Sequence, residues 1–140
     1  MEQAFQDLTV WQRAMELTVC VYSLTKDFPK DEMYGLTSQL RRASVSVASN
    51  IAEGRGRMTD GEFRQFLGIA QGSTYEVQTQ LLVARKLKIG DEEMLQRAEA
   101  LCIETSKMLG AFIQSLGAKG QKLEARSCLK WLFSLIKIRG

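Results

Sequence analysis

Five arginines lie within one short part of the sequence, and their side chains are the ones best suited to bind a ligand. They are Arg41, Arg42, Arg55, Arg57 and Arg64. A guanidinium group is permanently charged and presents paired N–H donors that match two phosphate oxygens, so these residues predict contacts with nucleic-acid phosphates. Lys130 and Lys137, near the C-terminus, join them as predicted nucleic-acid-binding residues.

The paired arginines also have a structural interpretation. Glu53, Glu62 and Glu76 are candidate acceptors for ion pairs within one subunit or between two. Adjacent residues on a helix point about 100° apart, so Arg41 and Arg42 are not expected to serve one surface. At least one of them is therefore expected to be structural.

A second basic group surrounds one predicted loop. Arg55 and Arg57 lie in the predicted loop at residues 54–58 and Arg64 follows it, which predicts a positive patch at one end of the molecule, with a solvated loop as the alternative. Arg85, Lys86 and Lys88 lie at the predicted C-terminal end of the following helix, where cations stabilise the helix dipole.

The sequence gives little support for catalysis or metal binding. The sequence contains no histidine, which excludes the common zinc sites, histidine general bases and Glu-x-x-His di-iron sites. Cys20, Cys102 and Cys128 form no CxxC pair and are predicted to be reduced, mostly buried thiols. Asn50 and Glu53 are better assigned to hydrogen bonds at a helix end and to subunit contacts than to catalysis. We expect no catalytic residue, cofactor, metal or small-molecule substrate.

The composition predicts one soluble domain built from helices. Among 140 residues, 45% are apolar and 25% charged, and there is a single proline. Apolar residues recur at helical rather than alternating spacing, which predicts an all-α fold. No apolar run is long enough to span a bilayer and the N-terminus does not resemble a signal peptide, so a cytoplasmic protein is expected.

Four amphipathic helices are predicted. The first follows a capping box at Thr9 and ends at Phe28, and the second begins at Lys30 or Asp31 and continues to about residue 53. Gly54 is expected to take the left-handed conformation that commonly ends a helix. The apolar seam of the first helix is Val10, Ala14, Leu17, Val21, Leu24 and Phe28. That of the second is Leu36, Leu40, Ala43, Val47 and Ile51.

The third helix follows a capping box at Thr59, ends at Gly90 and is expected to be the longest. Its predicted seam is Phe63, Leu67, Ala70, Thr74, Val77, Leu81 and Ala84. Gly68 and Gly72, on the same helix, indicate a close approach between helices. Asp91 is expected to cap the fourth helix, which carries two adjacent apolar seams and ends near residue 116.

Short connections between these helices predict an antiparallel up-down-up-down four-helix bundle over residues 1–116. Residues 117–140, here called the tail, are expected to comprise a flexible linker at 117–121 and a basic amphipathic helix at 122–139. The net charge of +3 is unevenly distributed: residues 1–116 carry a net charge of −2 and the tail carries +5. The tail has three possible partners: nucleic acid, an anionic membrane surface, or the bundle of the same or a neighbouring subunit.

An ordered series of residues resembles a known family. Its central part consists of Phe28-Pro29-x-x-Glu32-x-Tyr34-Gly35-Leu36-x-x-Gln39-x-Arg41-Arg42-Ala43-x-x-Ser46 and Asn50-Ile51-Ala52-Glu53-Gly54-x-x-Arg57. Its flanks are Leu8-x-x-Trp11-x-x-Ala14 and Phe63-x-x-Phe66-Leu67-x-Ile69-Ala70-x-Gly72-Ser73-x-x-Glu76. Over about residues 5–116 the chain resembles the four-helix-bundle proteins encoded in 23S ribosomal RNA intervening sequences. The same superfamily includes the accessory variability determinant of diversity-generating retroelements.

The resemblance implies a four-helix protomer that assembles into a pentameric barrel, so that a basic patch would repeat around a rim and weak phosphate contacts would add. In the retroelement branch it also implies binding to nucleic acid and to a reverse transcriptase. The basic tail extends beyond the expected end of this family's bundle. The leading hypothesis is a non-enzymatic homo-oligomer that binds RNA or DNA. The alternatives are a protein-interaction scaffold or accessory subunit of a reverse transcriptase, and a tail that binds a membrane surface.

Overall fold

The structure is a computed structural model that describes the backbone of residues 4–138 and the side chains of residues 4–122, 124–127, 129 and 130. The described chain is all-α, as predicted, and contains no strand. Four helices account for most of it: α1 (Thr9–Thr25), α2 (Leu36–Arg55), α3 (Asp60–Lys86) and α4 (Glu92–Ile138). Short 3-10 helices, Phe5–Asp7 and Lys30–Glu32, precede α1 and α2.

The helices bury the apolar seams that their spacing predicts. In α3 every predicted seam residue is buried, and in α1 the five seam residues inside the helix are buried as well. Packing joins α1 to α2, α2 to α3, α3 to α4 and α4 back to α1, so each helix contacts two neighbours. Burying each leucine of this core contributes about 2 kcal/mol of favourable transfer free energy.

Two clusters of buried side chains make up the core. One joins the C-terminal half of α1, the N-terminal half of α2, the C-terminal half of α3 and the start of α4; it includes Leu17, Leu24, Leu40, Leu81 and Leu95. The other joins the opposite halves of α1, α2 and α3 to the middle of α4; it includes Val10, Val47, Ile51, Leu67 and Leu109. The turn between α2 and α3 therefore lies at the second cluster's end of the bundle.

The small residues of α2 allow close approach on two sides. Towards α1, the Thr18 hydroxyl donates a hydrogen bond to the Ser44 carbonyl at 3.0 Å. Towards α3, the Ser46 and Ser73 hydroxyls are hydrogen-bonded at 2.9 Å. Asn50 donates to the Ser46 carbonyl at 2.8 Å, a hydrogen bond inside α2 rather than at its end.

Two of the three predicted N-terminal helix caps form. The Thr59 hydroxyl accepts from the Glu62 amide at 3.1 Å, and the Asp91 carboxylate accepts from the Met94 amide at 3.0 Å. The prediction for Thr9 is wrong, because α1 begins there with Leu8 as its N-cap and no side-chain cap. A preceding 3-10 turn has already set the direction of the chain at that point.

The second helix begins later than predicted. Residues from Lys30 form only one 3-10 turn, and α2 starts at Leu36, after Gly35. The Glu32 carboxylate accepts a hydrogen bond from the Leu36 amide at 3.0 Å. The acidic residue therefore satisfies an orphan N–H from outside the helix, where it also complements the positive helix end.

The prediction for Gly54 is also wrong, because this residue lies inside α2 rather than in a left-handed terminus. It is buried against α3, and a Cβ at Gly54 would lie 2.6 Å from Phe66 Cβ and 2.9 Å from Phe63 Cδ2. Glycine is required here for the close approach of two helices.

The end of α3 differs from its prediction in one detail. The left-handed residue is Lys88 (φ 56°), and the Ile89 amide donates to the Ala84 carbonyl at 2.9 Å, as in a Schellman motif. Gly90 comes two residues later at φ 93°, where a Cβ would lie 2.8 Å from the Phe28 ring. Lysine thus occupies the conformation that glycine was expected to provide.

Substitutions at these two positions are expected to have opposite effects. Lys88→Gly removes the steric cost of a left-handed lysine and should raise the free energy of unfolding by about 1 kcal/mol. Gly90→Ala combines a disfavoured φ with the Phe28 contact and should lower it by roughly 2 kcal/mol. Urea unfolding followed by circular dichroism measures both, and equal shifts in one direction would contradict this assignment.

The largest difference concerns α4, which is the longest helix in the described chain, in place of α3. It has 47 residues and continues without a break through residues 117–121, where a linker is predicted. Glycine lowers helix propensity by about 1 kcal/mol but does not oblige the chain to leave the helix. The predicted basic helix is therefore the C-terminal part of α4, while the domain boundary at residue 116 stays a prediction. Within residues 4–138, no helix is sufficiently long and apolar to cross a membrane.

Candidate nucleic-acid interface

The turn between α2 and α3 brings Arg55 and Arg57 to one end of the bundle. α2 ends at Arg55, which is half-buried, and Thr59 caps α3 four residues later. The Arg57 guanidinium donates to Glu53 Oε1 at 2.7 Å and lies 4.5 Å above the Phe66 ring. Ion pairing and the cation–π contact orient this side chain while leaving much of it exposed.

Arg64 joins this end of the bundle to the first turn of the tail. Its side chain is exposed, and its guanidinium lies over the backbone of α4 at Gly117. A Cβ at Gly117 would be 3.3 Å from Arg64 Nε, so the glycine leaves room for the guanidinium. One turn away, Lys119 Nζ pairs with Asp60 Oδ2 at 3.1 Å.

Beyond this junction the exposed face of α4 is basic. Lys119, Lys122, Arg126 and Lys130 are spaced by three and four residues, which aligns them along one side of the helix, and all four are exposed. Of these four, Lys119 alone forms an ion pair with the residues that the structure describes. Lys137 continues the same series within α4, and its side chain lies outside the described residues.

Arg41 and Arg42 point towards different helices, as predicted. Arg41 turns to α1, where its Nε donates to Thr25 Oγ1 at 2.9 Å and its guanidinium lies 4.7 Å above the Tyr22 ring. Arg42 turns to α3 and pairs with Glu76 at 2.6 Å. Arg41 is about 20 Å along α2 from Arg55, so the structure separates it from the α2–α3 turn.

Further along α3, Arg85 is held within the protomer. Its guanidinium pairs with Glu99 at 2.8 Å and Glu92 at 3.1 Å, both on α4. The hydrogen bond to Glu99 is the main reason that the pKa of Arg85 is raised above its ordinary value. These pairs join α3 to α4.

Comparison with known protein families identifies one family whose model matches this chain. The model of the 23S rRNA-intervening sequence protein family matches residues 6–111. The chain belongs to this family. The match includes the five arginines predicted to contact phosphates, whereas the tail lies beyond it. No curated protein matches the chain.

A solved structure has the same fold as this 23S rRNA-intervening sequence protein. It is a protein of unknown function from the S23 ribosomal protein family of Bacteroides thetaiotaomicron. The two chains are 22% identical, with a TM-score of 0.65 over 75% of this chain and 98% of the other. At this identity the likeness concerns the fold.

The buried thiols of this 23S rRNA-intervening sequence protein are unsuited to nucleophilic chemistry. Cys20 and Cys102 are free and buried, as predicted, while the Cys128 side chain lies outside the described residues. Burial raises the pKa of Cys102 to about 12, and its Sγ donates to the Thr74 carbonyl at 3.2 Å. In the described part of the chain, no group of three or more potential metal ligands lies together.

Sequence reasoning missed the junction between the α2–α3 turn and the tail. Asp60 and Lys119 are far apart in sequence, and no local spacing pairs them. A signal was present at Gly117, but glycine is compatible with both a linker and a close contact. The continuous basic face from Lys119 to Lys130 became evident only once α4 was seen as one helix.

Proposed function

We propose that this protein is a non-enzymatic homo-oligomer that binds RNA or DNA through the α2–α3 turn and the tail. The observation that carries the proposal is the row of exposed cations along α4, from Lys119 to Lys130, adjoining Arg64. Such a row neutralises successive phosphates and releases the counterions condensed on nucleic acid. No sequence-specific contact is required for this binding.

In this proposal the tail supplies most of the affinity for nucleic acid, because it has the larger excess of positive charge. Around the α2–α3 turn, Arg57 is paired with Glu53, and two further carboxylates lie nearby, Glu62 and Asp60, the latter paired with Lys119. The tail carries six Lys and Arg against one Glu. The turn therefore orients a bound strand beside the bundle, while the tail supplies the attraction.

Fluorescence anisotropy with a labelled structured RNA and a duplex DNA tests the proposal. With about four phosphate contacts, affinity is expected to fall roughly 100-fold between about 50 and 200 mM salt. Absence of binding to both at low salt would contradict the proposal. A protein partner recovered from native extract after nuclease treatment, without nucleic-acid binding, would favour the accessory-subunit alternative.

The proposal takes neighbouring helices as antiparallel, in an up-down-up-down order. Support comes from the two core clusters, since each joins the C-terminal half of one helix to the N-terminal half of the next. The short connections between successive helices are consistent with this order.

The outer face of α3 supports association with further copies of the chain. Gly68, Gly72, Tyr75, Thr79 and Leu82 follow a four-three spacing, and all five are exposed and uncharged. Nothing lies within 4 Å of a Cβ at Gly68 or Gly72, so the close approach predicted for these glycines is not made within the protomer. A second copy packed here would bury Tyr75 and Leu82, and repetition of the contact around a closed ring gives the proposed pentamer.

Gly72→Gln is expected to disrupt this association while leaving the protomer folded, because the new side chain meets only solvent in the isolated chain. Light scattering should show a shift from about five times 15.8 kDa towards the mass of one chain. Gly120→Gln is the matched control, since Gly120 is also helical with open space around it. A monomeric wild-type protein, or unchanged mass in the variant, would contradict the assigned face.

A further inference from the structure

A second basic site lies at the opposite end of α2, where the α1–α2 connection folds over the helices. It is a cavity of about 190 Å³. Three cations contribute to its walls: Lys26, Lys30 and Arg41. The other lining residues are uncharged, and they are Thr25, Phe28, Pro29, Met33 and Thr37.

Arg41 is positioned for a ligand by contacts that use only part of its guanidinium. Its Nε donates to Thr25 Oγ1 at 2.9 Å, and the Tyr22 ring supports its plane. Within residues 4–138, neither terminal nitrogen has an acceptor. A fixed guanidinium with its two Nη groups available matches an oxyanion bidentately.

The lysines of the cavity are also uncompensated. In the described part of the chain, Lys26 and Lys30 form no ion pair. Three acidic residues belong to the same connection: Asp27 and Asp31 do not line the cavity, and Glu32 accepts a hydrogen bond from the Leu36 amide. Three positive charges therefore share a small space whose lining contains no carboxylate.

The small volume of the cavity favours a compact anion over an extended strand. Its volume holds several water molecules or one tetrahedral oxyanion. Phe28, Pro29 and Met33 form apolar walls that lower the local dielectric constant and so strengthen charge interactions. An internal phosphodiester, flanked by sugars on both sides, fits such a space less well than a terminal phosphate.

We propose that this cavity binds the phosphate of a phosphomonoester. The group can come from a small molecule or from the 5′ end of a nucleic-acid strand. The second source rests on the proposed function, whereas the first does not. In either case Arg41 supplies the bidentate contact, and Lys26 and Lys30 supply charge.

Calorimetry with adenosine monophosphate and with two RNAs of one sequence, carrying a 5′-phosphate or a 5′-hydroxyl, tests this assignment. We expect the wild-type protein to bind the nucleotide and to prefer the phosphorylated RNA roughly tenfold, the effect of one charge-assisted hydrogen-bonded contact. Lys26→Gln/Lys30→Gln should abolish both effects. Lys86→Gln/Lys107→Gln, which removes the same charge from exposed residues outside the cavity lining, should retain them.

The outcomes separate the two proposals. Nucleotide binding without binding of either RNA would support the cavity and contradict the proposed function. Equal affinity for both RNAs without nucleotide binding would overturn the cavity assignment and leave the proposed function standing. Equal loss in both double variants, with circular dichroism showing a native fold, would also overturn it, because the effect would then be one of net charge.

Discussion

Gly54→Ala is expected to lower the free energy of unfolding by about 3 kcal/mol and the melting temperature by roughly 10 °C. The added methyl group would lie 2.6 Å from Phe66 Cβ, which is attached to the backbone and cannot rotate away. α2 and α3 must therefore move apart along their contact. That movement would weaken the Ser46–Ser73 hydrogen bond between the same two helices.

Gly110→Ala is the matched control, because Gly110 is helical and a Cβ there would make only an ordinary contact, 3.8 Å from Gln71 Nε2. There the substitution should raise stability by about 0.5–1 kcal/mol through helix propensity alone. Thermal and urea unfolding of the two variants measure the difference in sign. Stabilisation by both substitutions would contradict the close packing described for Gly54.

The triple variant Lys122→Gln/Arg126→Gln/Lys130→Gln is expected to weaken RNA binding on the order of 30-fold at low salt. Each removed cation eliminates one phosphate contact, so the slope of log affinity against log salt should fall by roughly 3. Anisotropy titrations at four salt concentrations give both quantities. The secondary structure should be unchanged, since these side chains are exposed and glutamine is a good helix former.

A charge-matched control distinguishes a binding surface from a general effect of net charge. Lys86→Gln/Lys88→Gln/Lys107→Gln removes three exposed cations from the bundle. Its affinity should stay within about threefold of wild type, because screening limits long-range attraction to roughly a Debye length. Equal weakening in both triple variants would show that the tail is not a dedicated surface.

The fold was predictable where burial follows helical spacing. The seam from Phe63 to Ala84 repeats regularly, and every member of it is buried. Such a seam depends on one helix only, and any neighbour of suitable shape covers it. The positions of Thr59 and Asp91 as caps were predictable for the same reason, since a cap is a local hydrogen bond.

Glycines exposed the limit of local reasoning. Gly54, Gly90 and Gly117 all suggested chain breaks or turns, yet each leaves room for a residue of another segment: Phe66, Phe28 and Arg64 respectively. In the sequence, a glycine that permits a turn cannot be distinguished from one that permits a close contact. Only the packed structure identifies the neighbour.

The candidate interface was predictable in its residue types but not in its connections. The sequence indicated that Arg41 and Arg42 diverge, and it included Glu76 among the possible acceptors for the ion pair that Arg42 forms. It gave no indication that Lys26, Lys30 and Arg41 share a cavity, because the α1–α2 connection determines their proximity.

Because α4 is uninterrupted, it determines how far the basic residues of the tail extend from the bundle. From residue 117 to Ile138 the helix extends about 33 Å, with the first turn secured by Lys119 and Asp60. A tail joined by a flexible linker would lose conformational entropy on binding a ligand. A continuous helix instead holds its cations at fixed distances from the bundle. Under the proposed function, nucleic-acid strands long enough to span that distance would make every contact, and shorter strands would lose the outer contacts one by one.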